Sequence, residues 1–119
     1  MEKSSNKSVL KTLDFLEFFI HKPQLSLGEL VKLSGMPKTT VFRIMQTMEM
    51  SGFISRFHNG KQPFYQLGLK LLELGNLVSQ RLEVRKVALP YMILLRDRVN
   101  EAVNLIVRSG DEAVYIEKV

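Results

Sequence analysis

The chain has 119 residues, with 17 Lys or Arg against 12 Asp or Glu, two histidines and no cysteine. That length holds one small domain with a core, or one domain and part of a second, and an apolar fraction of 45% argues against disorder. The lack of cysteine excludes disulfides and thiolate metal sites, no apolar run approaches about 18 residues, and no signal-peptide pattern follows Met1; the expected location is the cytoplasm or nucleoid, away from membranes.

Residues 1–7 are polar and expected to fray. A helix is predicted from about Ser8 to His21, with Val9, Leu13, Leu16 and Ile20 in one arc, and Leu10 and Phe19 at its edges, as its buried face. Phe15 and Phe18 lie nearly opposite that arc, and two such rings left in water point to a subunit contact or a seat for a later helix. Lys22, Pro23 and Gln24 break this helix.

The stretch from Leu27 to Ser51 reads as a short helix, a tight turn and a second helix. Ser26 and Glu29 make an S-x-x-E capping box, so the first helix starts at Leu27 with Leu30, Val31 and Leu33 on its apolar stripe. Gly35 stops it, and Pro37 suits the first position of the next. In that second helix Val41, Ile44, Met45 and Met48 share an inner arc. Thr39, Thr40, Arg43, Gln46 and Thr47 fall on the far side, with Lys38 at the N-terminal end and Phe42 on the flank, too apolar for an ordinary solvated face. Polar side chains of this size reach base edges or phosphates when such a helix enters a major groove.

Gly52 ends the helix as a C-cap glycine. The period then changes to that of strands, and Phe53–Phe57 with Gln62–Gln66 predicts a β-hairpin about Asn59-Gly60, both at positive φ. In that register Ile54 faces Tyr65 and Phe53 faces Gln66. Arg56, His58, Asn59 and Lys61 occupy its outer end, and Pro63 marks an edge position. Helix, helix-turn-helix and basic-tipped hairpin in this order make a winged helix-turn-helix.

After Leu67 and Gly68 comes a leucine-rich helix. Leu71, Leu74, Val78 and Leu82 form one stripe, Leu69 and Leu72 another and Leu77 a third, so the helix needs more than one partner, a second subunit among them. Gly75 would permit close approach. A further helical pattern runs from Val84 to Asn100, with a kink or break expected before Pro90. Ala102–Arg108, a Ser109-Gly110-Asp111 turn and Ala113–Val119 then read as a second hairpin, the start of a sheet that two strands alone do not complete. The fold class is mainly α with a β-hairpin wing: a winged helix-turn-helix over 1–67, a linker helix over 68–83, and the first helix and hairpin of an incomplete α+β domain over 84–119.

The basic excess sits with the helix-turn-helix. Residues 1–66 carry nine basic and five acidic side chains, whereas residues 67–119 carry eight and seven. A polyanion partner requires this distribution. His21 and His58 have no nucleophile or carboxylate partner evident in sequence, and there is no metal-ligand cluster, P-loop or G-x-G-x-x-G, so neither an enzyme nor a cofactor is expected.

The motifs SVLKTLDFLEFF, LSLGELVKLSGMPKTTVFRIMQTMEMSGFI, YQLGLKLLELG and ALPYMILLRDRVNEAVNLIVRSGDEAVYIEKV, in this order, resemble the N-terminal part of an IclR-family bacterial transcriptional regulator. The resemblance implies a homodimer, or a dimer of dimers, that binds double-stranded DNA through Lys38, Thr39, Thr40 and Arg43, with Arg56 at the start of the wing. At Phe42 the family more often carries a polar residue. It also implies a C-terminal domain that binds a small-molecule effector in a pocket lying mostly beyond Val119. The expected function is a sequence-specific, dimeric DNA-binding regulator, repressor or activator; the alternative is a winged-helix module for protein assembly that touches no DNA.

Overall fold

The computed structural model describes residues 4–119, so the first three residues of the stretch expected to fray lie outside the described residues. The order is α1 (Lys7–Glu17), β1 (Leu25–Ser26), α2 (Leu27–Ser34), α3 (Lys38–Met50), β2 (Ile54–Asn59), β3 (Gln62–Leu67), α4 (Leu69–Arg81), α5 (Glu83–Val99), β4 (Asn104–Ser109) and β5 (Glu112–Lys118). The chain forms two units that divide between Leu72 and Glu73, and each is described by itself.

In the first unit, Asn6 caps α1 by accepting the Val9 N–H at 3.1 Å. The buried face of α1 is turned from the one expected from its periodicity: of the expected arc Leu16 alone packs against the core, half-buried, and Phe19 at its edge is buried. Phe15 and Phe19 are in the core, whereas Val9, Leu10, Leu13 and Ile20 are exposed, Ile20 to 64%. Two causes account for this. The helix ends at Glu17, and Phe19 and Ile20 follow in a turn whose N–H groups reach Leu16 O and Glu17 O, so helical spacing no longer places them. A phenylalanine also removes more apolar area from water than valine or leucine, so the side with the rings wins the core. Phe15 is therefore no subunit contact. Phe18 is half-buried and meets the Phe15 ring edge-on, with centroids 5.3 Å apart.

The capping box forms as the sequence requires: Glu29 N–H donates to Ser26 Oγ at 3.2 Å and Ser26 N–H to Glu29 Oε1 at 3.0 Å. Gly35 closes α2 at φ 68°, its N–H on Val31 O at 2.9 Å. Ser34 ties the turn by donating to Val31 O and accepting from Met36 N–H. Pro37 is the residue before α3 rather than its first, with an extended ψ of 146°, and its carbonyl accepts the Val41 N–H. Leu30, Val41, Met45, Met48, Ile54 and Tyr65 close the core with Phe15, Phe19 and Leu25.

The hairpin forms in a different register. Ile54 pairs with Leu67, Arg56 with Tyr65 and Asn59 with Gln62, so the turn residues are Gly60 and Lys61, and only Gly60 has positive φ. This register sets Phe57 opposite Phe64 as a stacked pair, centroids 5.9 Å apart, where the expected one opposed Phe57 to Gln62. Aromatic cross-strand pairing favours the observed choice. Leu25 and Ser26 add a third strand, pairing with Tyr65 and Phe64 in the order β1-β3-β2. Gly68 follows the wing under tight constraint: a Cβ there would stand 2.2 Å from Gly52 O.

In the second unit, α5 runs through Pro90 without a break, so of the kink or break expected there the break does not occur. Pro90 lies on the exposed side, where water can reach the carbonyl its missing N–H leaves free. Asn100 ends the helix in the left-handed conformation with its N–H on Arg96 O at 2.7 Å. The β4–β5 hairpin turns at Gly110 (φ 61°) and carries a bulge at Leu105/Ile106. Ser79 donates to Ile116 O at 3.0 Å, and Arg85 pairs with Glu117 at 2.6 Å. No helix among the described residues is long and apolar enough to cross a membrane.

Candidate nucleic-acid interface

The reading face is set by what holds α3 down. Val41, Met45 and Met48 are buried at i, i+4 and i+7, with Ile44 half-buried beside them. This fixes the rotation of the helix, and Lys38, Thr39, Phe42, Arg43, Gln46 and Thr47 are exposed while Thr40 is half-buried. The predicted outer arc is thus brought together on one surface. Thr47 Oγ1 donates to Arg43 O at 2.9 Å, which leaves its lone pairs as the outward-facing group. Lys38, Thr39, Phe42, Arg43 and Gln46, with Leu27 from the start of α2, line a shallow depression.

The wing contributes His58 and Lys61, both exposed at its end. Arg56 is further from the tip than expected. It is the third residue of β2, opposite Tyr65, and its Nε lies 3.4 Å from Glu49 Oε1 on α3. This contact of Glu49 with a candidate site residue was not legible in the sequence, because nothing in a helical or strand period links position 49 to position 56. Burial raises the Tyr65 phenol above its ordinary pKa; the Glu49 charge adds to the rise and Arg56 opposes it.

At the other end of the motif, Lys22 forms an ion pair with Glu29. Its hydrogen bond is the largest cause holding the Glu29 carboxyl below its ordinary range, followed by the Ser26 backbone N–H. The first cap of the helix-turn-helix is thus a charged one.

Of the residues expected at a subunit contact, Leu74 and Val78 are exposed and Leu71 and Leu82 half-buried, and α4 as a whole buries no residue. His21 and His58 are both exposed. Among the described residues no group of three or more His, Cys, Asp or Glu side chains could hold a metal ion.

Two family profiles match the chain: IclR helix-turn-helix domain over residues 8–56, and bacterial transcriptional regulator IclR C-terminal over residues 76–119. The chain is 50% identical over 117 residues to the HTH-type transcriptional regulator KipR of Bacillus subtilis, covering 98% of this chain and 46% of that protein. Among solved structures it resembles the Thermotoga maritima IclR, at 30% identity and TM-score 0.72, covering 95% of this chain and 45% of that one. It also resembles an IclR homolog from Microbacterium hydrocarbonoxydans complexed with 4-hydroxybenzoate, at 27% identity and TM-score 0.75, covering 93% and 45%. The chain spans less than half the length of these relatives.

Proposed function

The chain belongs to the IclR family of bacterial transcriptional regulators, and from that premise we propose that it is a sequence-specific DNA-binding regulator acting as a dimer. The observation that carries this reading is the outer face of α3, where donors and acceptors of base-reading length stand in one patch over a buried apolar arc. Arg43, with two parallel donors, is assigned to a guanine; Thr39, Thr40, Gln46 and Thr47 reach other base edges. Lys38 and Lys61 are assigned to phosphates, with Arg56 and His58 along the wing. These roles fit the basic excess of residues 1–66.

In this reading residues 1–67 are the DNA-reading domain, 68–83 a linker helix and 84–119 the first part of an effector-binding domain. Leu71, Leu74, Val78 and Leu82 serve the dimer contact, and a two-fold dimer would place half-sites about 34 to 36 Å apart, or a multiple of that, on one face of the duplex. A form carrying a complete effector domain responds to a small molecule; the ligand named for the Microbacterium relative supports this class of effector. The protein acts in the cytoplasm, and no catalytic step is part of the proposal.

The test is selection of bound duplexes from a random pool, followed by a salt titration on the selected site and on random DNA. The proposal requires a steep linear fall of log K with log salt and a tighter constant for the selected site. An assembly module without DNA contact would give weak attraction alone, equal for both.

A further inference from the structure

Phe42 is 39% exposed in the middle of a face whose other members are polar. It is absent from the core that Val41, Met45 and Met48 build, so core packing does not account for it. Lys38, Phe42 and Gln46 succeed one another at i, i+4 and i+8, a row about 12 Å long at the helical rise. Leu27 lies in the same depression, which therefore has an apolar floor bordered by a cation, an amide and a guanidinium.

That arrangement has a matching chemistry on one base pair. In the major groove a thymine exposes a C5-methyl, the one apolar group of that surface, and its partner adenine exposes N6 and N7, which a glutamine amide can bind in bidentate fashion. We propose that Phe42, with Leu27 behind it, reads the methyl group of a thymine whose partner adenine is contacted by Gln46. The inference rests on the DNA-reading function proposed above and names the base that the apolar part of that site selects. The Lys38 and Arg43 neighbours donate hydrogen bonds and cannot sense the C5-methyl of thymine; an apolar contact can.

The test replaces each thymine of the selected duplex in turn with deoxyuridine, which deletes the C5-methyl and leaves base pairing intact. For the natural chain, one position per half-site should lose about fourfold in affinity, the worth of one buried methyl. Phe42→Ala should bind the thymine and uracil duplexes equally, and Phe42→Leu should restore part of the difference. Because Phe42 is outside the core, the variants' far-ultraviolet circular dichroism should match that of the natural chain. Sequence-selective binding that tolerates uracil at every position would overturn this inference alone, as would a uracil penalty that persists in Phe42→Ala. Failure to bind any duplex selectively would overturn the DNA-reading proposal and this one with it.

Discussion

Arg56, on the first strand of the wing, and Glu49, in the last turn of the recognition helix, are joined across the Gly52 bend, Nε to Oε1 at 3.4 Å. A cation suited to a phosphate is therefore shared with a carboxylate of its own domain. On the proposed DNA-reading function, Glu49→Gln should release the guanidinium and remove a negative charge beside the candidate interface. The expected result is tighter binding to random duplex and a salt slope steeper by about one phosphate's worth. An unchanged slope would show that Arg56 serves the fold alone.

Arg43 and Lys61 should separate reading from holding. Arg43→Ala should cost about 1 to 3 kcal/mol on the selected site and relax the preference at one base step. Lys61→Ala should weaken all sequences alike and flatten the salt slope by about one. Equal losses on selected and random DNA for Arg43→Ala would remove its base-reading role.

The charged cap of α2 gives a pH dependence with a definite sign. The Glu29 carboxyl is held below its ordinary value near 4.5, chiefly by Lys22. A folded-state pKa below the unfolded one contributes stability above the unfolded value and loses it as pH falls through the folded value. Glu29→Gln keeps an oxygen for the Ser26 N–H but not the charge. Its deficit in urea midpoint relative to the natural chain should be full at pH 6 to 7 and vanish in strong acid. Ser26→Ala, which removes the reciprocal bond, should cost about 0.5 to 2 kcal/mol at neutral pH.

Two glycines should respond to alanine in opposite ways. At Gly68 a methyl would collide with backbone on Gly52 and Phe53, so Gly68→Ala should destabilise the first unit by about 1 to 3 kcal/mol or more. At Gly75, in the middle of α4, a methyl meets nothing within 4 Å, and alanine should stabilise the helix by about 0.5 to 1 kcal/mol. If a second subunit approaches α4 closely at this point, the same change should lower the dimer fraction in sedimentation, which distinguishes the two uses of the glycine.

Where local chemistry decides structure, the sequence was sufficient. Ser26 with Glu29, the Gly35 stop and the change of period after Gly52 each act within a few residues, and the helix-turn-helix and its wing follow from them. The inner arc of α3 was legible for the same reason, since Val41, Met45 and Met48 keep strict helical spacing. What failed depended on competition. The α1 wheel offered two apolar sides, and only packing against Leu30, Met45 and Tyr65 decides for Phe15 over Leu13. The hairpin register turned on whether Asn59-Gly60 or Gly60-Lys61 makes the bend, and the Phe57–Phe64 stack settles it. Because the two registers differ by two positions, Ile54 and Tyr65 stay on the core side in both. The Leu25–Ser26 strand is too short to show a period, and the Glu49–Arg56 pair joins elements of different period.

The junction at Gly52 and Gly68 bears on how the chain leaves the first unit. Gly68 N–H is bonded to Phe53 O at 2.8 Å, Lys70 N–H to Gly52 O at 3.2 Å, and Phe53 N–H to Met48 O at 3.0 Å. The last turn of the recognition helix and the first turn of α4 are thus fastened to the same two residues, with no room for even a methyl between them. The direction in which the chain leaves the first unit at the start of α4 is therefore tied to the end of α3, and with it to the orientation of the outer face of that helix.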